Sequence, residues 1–314
     1  MLEKIAAVIL SITVFFSSLL MGVVYPGYLS GAEKAVTIPG LDTDFVPQGS
    51  TYIEDEDIYL VCGYMNTKSP SRIYLVREGA EKVVYLKYAD GSDYFGHAGG
   101  ITANGEYIYV SNAHNLYVIR KADLLGAQNK GTVSFAGEIP VPCNASFCSC
   151  DGKNIYVGEY HADGYETDES HHLTAPDGSE HFAFIFGYAL RSGSPFGVDT
   201  SAPTIIFSVC DKVQGFAVTD DGSAVLSISA GFENSRLTVY DLSERPEDYE
   251  LDGLRVPIYY LDSRLSEKTV IMPRMSEDLE YVNGKILICF EAGAKKFFPG
   301  VIPFAVKDLI LFSL

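Results

Sequence analysis

A weak repeat that returns five times constrains this chain more than any single motif in it. The copies begin at Pro47-Gln48-Gly49, His97-Ala98-Gly99, Asn144-Ala145-Ser146, Gln214-Gly215-Phe216 and Glu277-Asp278-Leu279. Each runs through a strand-like stretch into a turn and a second strand. In the last four the turns are Asn104-Gly105, Asp151-Gly152, Asp221-Gly222 and Asn283-Gly284, dipeptides that tolerate the positive φ of tight hairpins. In the first, Glu54-Asp55-Glu56-Asp57 stands in that place. Short strands at a period of roughly 50 to 70 residues predict a toroidal array of sheets. Gln48, His97, Asn144, Gln214 and Glu277 then form one ring.

Period-two and apolar runs supply the remaining strands of each copy. They fall at 57–63, 72–77 and 82–88 in the first copy and at 106–111, 115–120 and 132–136 in the second. The third copy has 154–159, 181–190 and 204–210, and the fourth has 223–229, 236–241 and 256–261. The fifth has only its inner segment, 285–290 and 308–314, and residues 35–38 sit where its missing outer strand belongs. The expected fold is therefore all-β: a five-bladed β-propeller of four-stranded antiparallel blades over residues 35–314. Its last blade is closed by an N-terminal strand, and one N-terminal hydrophobic helix precedes it. A pair of β-sandwiches is the alternative, but it does not explain why a shortened last copy is complemented at the start.

Residues 1–32 form a separate unit. Lys4 precedes an uncharged apolar run from Ile5 to Tyr25, Pro26-Gly27 breaks it, and Ser30-Gly31-Ala32 resembles a cleavage site. The run is a signal peptide if cleaved, and it is long enough for a membrane anchor if retained. Both place the remainder outside the cytoplasm, secreted or anchored. A net charge of −18 with pI near 4.6 excludes nucleic acid and anionic membrane surfaces as partners, since both require clustered Lys and Arg. Membrane contact is then expected only through the N-terminal helix. Six cysteines in an exported chain permit disulfides, with Cys143 and Cys210 before adjacent inner strands the first pair to consider. Cys62, Cys148, Cys150 and Cys289 read as buried small hydrophobes.

Chemistry is expected at the ring. Its side chains donate and accept hydrogen bonds, and only Glu277 carries a formal charge. Two long polar insertions, 161–180 and 291–307, join second to third strands and overhang the same face, which brings Glu291 to the ring. Gln48, His97, Asn144, Gln214, Glu277 and Glu291 are the ligand-binding candidates. The first insertion and its flank hold His161, His171, His172 and His181 among carboxylates, so Glu277, His171 and His172 are the candidate ligands of a divalent metal, calcium or zinc. The preferred reading is a non-catalytic binder of a small molecule, glycan or protein. The alternative is a metal-dependent hydrolase of an ester, lactone, phosphoester or glycoside, with Glu277 and Glu291 at the ion and His97 or His171 moving protons. A structural surface protein is a third reading.

The stretch Tyr107 to Ile119, YIYVSNAHNLYVI, resembles the repeat of exported bacterial propellers of the YVTN type through Tyr109, Val110, Ser111 and Asn112. The segments 272–277 and 290–294 resemble a pattern of secreted bacterial propellers. Gln214-Gly215-Phe216 and Ser276-Glu277-Asp278 are similar to channel-mouth motifs of calcium-dependent propeller hydrolases such as apyrases and lactonases. Those enzymes gather several acids around their metal, whereas this ring offers Gln, His, Asn, Gln and one Glu.

Overall fold

The computed structural model describes residues 20–77, 79–298 and 304–314. The expected signal or anchor lies largely outside them. No helix among the described residues is long and apolar enough to cross a membrane.

The chain is an all-β propeller. Its first sheet carries Phe45–Ile53, Ile58–Met65, Arg72–Arg77 and Ala80–Lys87 from the axis outward, and the second carries Gly100–Asn104, Tyr107–Asn112, Asn115–Arg120 and Gly137–Pro140. The third begins with Ala145–Cys150, Asn154–Glu159, Ala183–Leu190 and Ile205–Val209. The fourth carries Val213–Val218, Ala224–Ile228, Ser235–Tyr240 and Ser266–Met272. The fifth carries Ser276–Val282, Lys285–Phe290 and Asp308–Phe312, and Ala32–Thr37 completes it antiparallel to Asp308–Phe312. The innermost strands pack each on the next, and Ser276–Val282 returns to Phe45–Ile53. Separate apolar cores fill the gaps between successive sheets, as with Leu60, Ile73, Ile101 and Ile108 between the first two. Burying such aliphatic side chains stabilises by about 1.5–3 kcal/mol each.

Uniform four-stranded antiparallel blades do not hold throughout. Gly131–Ser134, expected as the outer strand of the second copy, lies parallel to Ala80–Lys87 at the rim of the first sheet, and Gly137–Pro140 takes its place. Leu254–Tyr260, expected in the fourth sheet, pairs parallel with Ile205–Val209 of the third and brings Glu247–Leu251 with it. The fourth sheet is completed by Ser266–Met272 instead. In both cases a connection long enough to reach the neighbouring sheet lets an apolar segment cover that sheet's exposed edge.

The inner strands share a further device. Register shifts interrupt their pairing between Pro47 and Gly49, Ala145 and Phe147, Val213 and Gly215, and Ser276 and Leu279. A bulge puts an extra residue opposite the partner strand and re-aims its side chain. Gln48, Ser146, Gln214, and Glu277 with Asp278 occupy these positions. Close approach at the axis depends on glycine: a Cβ on Gly100 would stand 2.5 Å from the Cys148 nitrogen, and one on Gly215 would stand 2.7 Å from the Leu279 nitrogen.

All six cysteines are free thiols. Cys143 packs between the second and third sheets and Cys210 against the core between the third and fourth, so the expected bridge does not form.

Candidate functional site

A cavity of about 390 Å³ occupies the channel mouth where the inner strands begin. All six ligand-binding candidates line it: Gln48, His97, Asn144, Gln214, Glu277 and Glu291. They stand at different depths. Gln48 and Glu277 are buried, Gln214 and Glu291 are half-buried, and His97 and Asn144 stand at the exposed rim. His97 and Asn144 precede the points where the inner strands meet: Gly99 rests on the Ser146 carbonyl, so Gly99 and Ser146 occupy the positions level with Gln48. The ring is thus staggered, deep on the first and fifth sheets and shallow on the second and third.

Its floor is an acid pair. Glu277 and Glu291 hydrogen-bond to each other, and Gln48 Nε2 donates to Glu291 Oε2 at 3.0 Å. Burial, with the neighbouring Glu291 charge and Asp278 behind it, holds Glu277 well above the ordinary carboxyl range. Burial also pushes Glu291 up to about 7, against the opposing pull of Lys296, Gln48 and Glu277. Two anions in contact cannot both persist in a desolvated site, so the pair shares a proton.

The walls are aromatic. Tyr64, next to last in the second strand of the first sheet, stacks on His97 with 4.5 Å between ring centroids. The Lys296 ammonium lies 5.1 Å from the Tyr64 ring centroid and hydrogen-bonds to the Tyr64 hydroxyl. Although His97 stands at the rim, the ring face that stacks on Tyr64 is desolvated, and this, with Lys296 nearby, lowers the imidazole pKa. Tyr160 and Tyr165 meet edge to face at 5.7 Å across the mouth. Tyr64, Asn112, Tyr160, Tyr165, Lys296 and Phe297 were not among the sequence candidates. One signal locates three of them: Tyr64, Asn112 and Tyr160, like the candidate Glu291, lie within one residue of the ends of second strands, so aligning those ends across copies finds them.

The proposed metal set is not assembled. His171 and His172 do not line the cavity that holds Glu277, and no three His, Cys, Asp or Glu side chains among the described residues converge as a metal-binding group. His171 is buried with its Nδ1 2.6 Å from Glu159 Oε1, and its ring stacks on Phe184. Glu159 Oε1 also accepts the Phe184 N–H at 3.0 Å. His172 Nε2 bonds the Thr167 hydroxyl at 2.9 Å. Asp177, at the far end of the insertion, accepts the Ser263 N–H and hydroxyl at 2.9 and 2.6 Å. His171 thus fastens the insertion to the third sheet and takes no part in proton transfer at the ring.

Below the acid pair the axis is blocked by Asp278. Its fully buried carboxylate crosses the ring and accepts the Ile101 N–H at 3.1 Å, with the Cys148 and Leu279 N–H groups also directed at it. Burial, followed by the neighbouring Glu280, raises it well above the ordinary range. At the opposite mouth a second cavity, about 560 Å³, is lined by hairpin turns and by Glu280, which accepts the Thr102 hydroxyl at 2.9 Å.

Sheets and mouth together define a propeller with a ligand-sized, acid-floored and aromatic-walled cavity at one end of a plugged channel. No protein-family model and no curated protein matches the chain. In backbone it is similar to the glutaminyl cyclase of Myxococcus xanthus, at 11% identity over 90% of this chain and 94% of that one, with a TM-score of 0.45. It is also similar to the PQQ-bound aldose sugar dehydrogenase of Streptomyces coelicolor, at 16% identity over 83% and 79% of the two chains, with a TM-score of 0.41. Both likenesses are distant, and the fold assignment rests on the sheet topology.

Proposed function

We propose that this chain, its five sheets read as five blades closed by the N-terminal strand, is an extracytoplasmic binder of a small polar molecule or of the end of a glycan or peptide. The supporting observation is convergence: bulged residues of the first, third, fourth and fifth sheets, and His97 and Gly99 just before the second sheet's inner strand, meet over one cavity of about 390 Å³, within the range of ligand sites. The acid pair narrows the chemistry. A shared proton stands where a cation would otherwise neutralise Glu277 and Glu291, so a ligand presenting an ammonium group beside hydroxyls replaces that proton and meets the amides of Gln48 and Gln214. The faces of Tyr64, Tyr160 and Tyr165 suit a sugar ring or an organic cation.

A hydrolase reading keeps one supporting observation, the position of Glu291 near neutrality, where a general base works best. Its glycosidase form is disfavoured because hydrogen-bonded carboxyls lie closer than the roughly 5 Å or more that separates the two acids of such enzymes. Its metal form finds no gathered ligands among the described residues.

Calorimetric titration with amino sugars, neutral sugars and simple amines, in two buffers of different ionisation heat, tests the binding reading. The expected result is binding of an amine-bearing member with release of close to one proton, weakened about tenfold or more by Gln214→Ala. A panel without binders, or binding unchanged in Gln214→Ala and Glu277→Gln, overturns it. Turnover of any member moves the assignment to the hydrolase.

A further inference from the structure

The cavity-bearing face carries a second feature, an aromatic rim of which Tyr165 also lines the cavity. Four Phe or Tyr residues among those described are exposed, namely Phe95, Tyr165, Phe232 and Phe298, and all four belong to this face. Tyr165 lines the cavity itself, Phe232 follows Gly231 and Phe298 follows Phe297 in its lining, and Phe95 lies two residues before His97. They come from four different sheets or their connections. Exposed apolar side chains scattered singly need no explanation, but a rim of them around one opening does.

The path of the N-terminal segment says what covers that rim. Pro26–Gly31 lies in the groove between the fourth and fifth sheets, with Tyr28 stacked on Phe312 and Gly27 facing Val270. Its end at Gly31 touches Ser313, on the side of the opposite mouth. At its start, Tyr25 Oη donates to Asn234 Oδ1 at 2.8 Å, and the Tyr25 ring meets Phe304 edge to face at 5.7 Å. Asn234 shares a loop with Phe232 at the cavity-bearing face. Followed toward the N-terminus, the chain therefore leaves the propeller at that face, where Leu20, Val23 and Val24 are exposed. The uncharged run from Ile5 to Tyr25 continues from there, with about the length that a bilayer span requires.

We propose that the cavity-bearing face lies against a zwitterionic lipid bilayer, with the N-terminal apolar run as the span and Phe95, Phe232 and Phe298 in the interface. Aromatic side chains concentrate at that depth. The net charge of −18 argues for a neutral surface over an anionic one. The inference rests on retention of the N-terminal run, which is one of the two outcomes expected for residues 1–32.

The chain contains no Trp, so each reporter is spectroscopically unique. Phe95→Trp, Phe232→Trp and Phe298→Trp alter exposed side chains and leave the cores intact. Leu254→Trp, on the outer hairpin of the third sheet, is the control. The full chain carrying each is reconstituted into phosphatidylcholine vesicles with and without brominated acyl chains. Bromolipid should quench the three rim reporters roughly twofold or more beyond the control. Rim reporters quenched no more than the control while the protein resists alkaline extraction overturn the orientation and leave anchoring intact. Protein released by alkaline extraction, with a shortened N-terminus, overturns retention itself. Rim reporters open to a water-soluble quencher in vesicles assign the face to a soluble partner and likewise overturn the proposal.

Discussion

The two mouths of the channel are built from the same five inner strands, yet they differ in kind. At one end the strands begin, bulges turn Gln48, Ser146, Gln214 and Glu277 toward the axis, and loops bring Tyr165 and Lys296 over them. At the other the strands end in short turns, and the larger opening is lined by turn residues such as Asn104, Asp151, Gly152 and Asn283, with Glu280 among them. Hairpin turns are fixed by φ and by length, so they have little freedom to vary in chemistry. Bulges and long loops have that freedom. The smaller mouth is where this fold places variety in side chains.

Asp278 separates the two mouths, so its replacement should have the largest effect. Asp278→Ala strands the Ile101 and Cys148 N–H groups and should cost about 3 kcal/mol in urea unfolding, with both mouths affected. His171→Ala should cost about 2 kcal/mol by leaving buried Glu159 short of a partner, with ligand affinity unchanged. A loss of binding there would bring the insertion into the site.

The acid pair supplies a pH test. Glu277 and Glu291 have folded-state pKa values above their unfolded ones, so the folded state holds protons that the unfolded state releases. Stability is full below the ordinary carboxyl pKa and declines as pH rises from there through about 7. Glu277→Gln should therefore melt at least about 2 °C higher than the wild type at pH 8 and alike at pH 4, while binding the ligand more weakly. Glu280, raised in the same way by burial, sits at the other mouth. Glu280→Gln should show the same pH trend with no change in ligand affinity, which separates the mouths by function. The smallest effect is expected from reductant, which should leave the melting temperature unmoved because all six cysteines are thiols.

Much of this fold is legible in the sequence because inner strands and tight turns are local features. The fifth sheet's completion from residues 32–37 follows from a shortened last copy. The outer strands are less legible. Gly131–Ser134 and Leu254–Tyr260 look like strands and are strands, but which sheet receives them depends on how far a connection reaches. In the candidate site, Gln48, Gln214 and Glu277 stand out because bulge positions coincide with the repeat. His97 and Asn144 stand higher than expected because their copies reach the axis two residues later, at Gly99 and Ser146. The histidine-rich insertion misleads for a physical reason: sequence shows His171 near carboxylates, but not that Glu159 and Phe184 bury it.

The strand that closes the ring gives the chain a timetable. Ala32–Thr37 precedes every other strand of the propeller in the chain and pairs with Asp308–Phe312, Thr37 and Asp308 lying 271 residues apart. Until they pair the fifth sheet lacks an edge and the toroid is an open horseshoe whose first and last sheets do not yet share a core. Pairing at such sequence separation is slow. A ring of this design shuts like a clasp only when Asp308–Phe312 is free to pair.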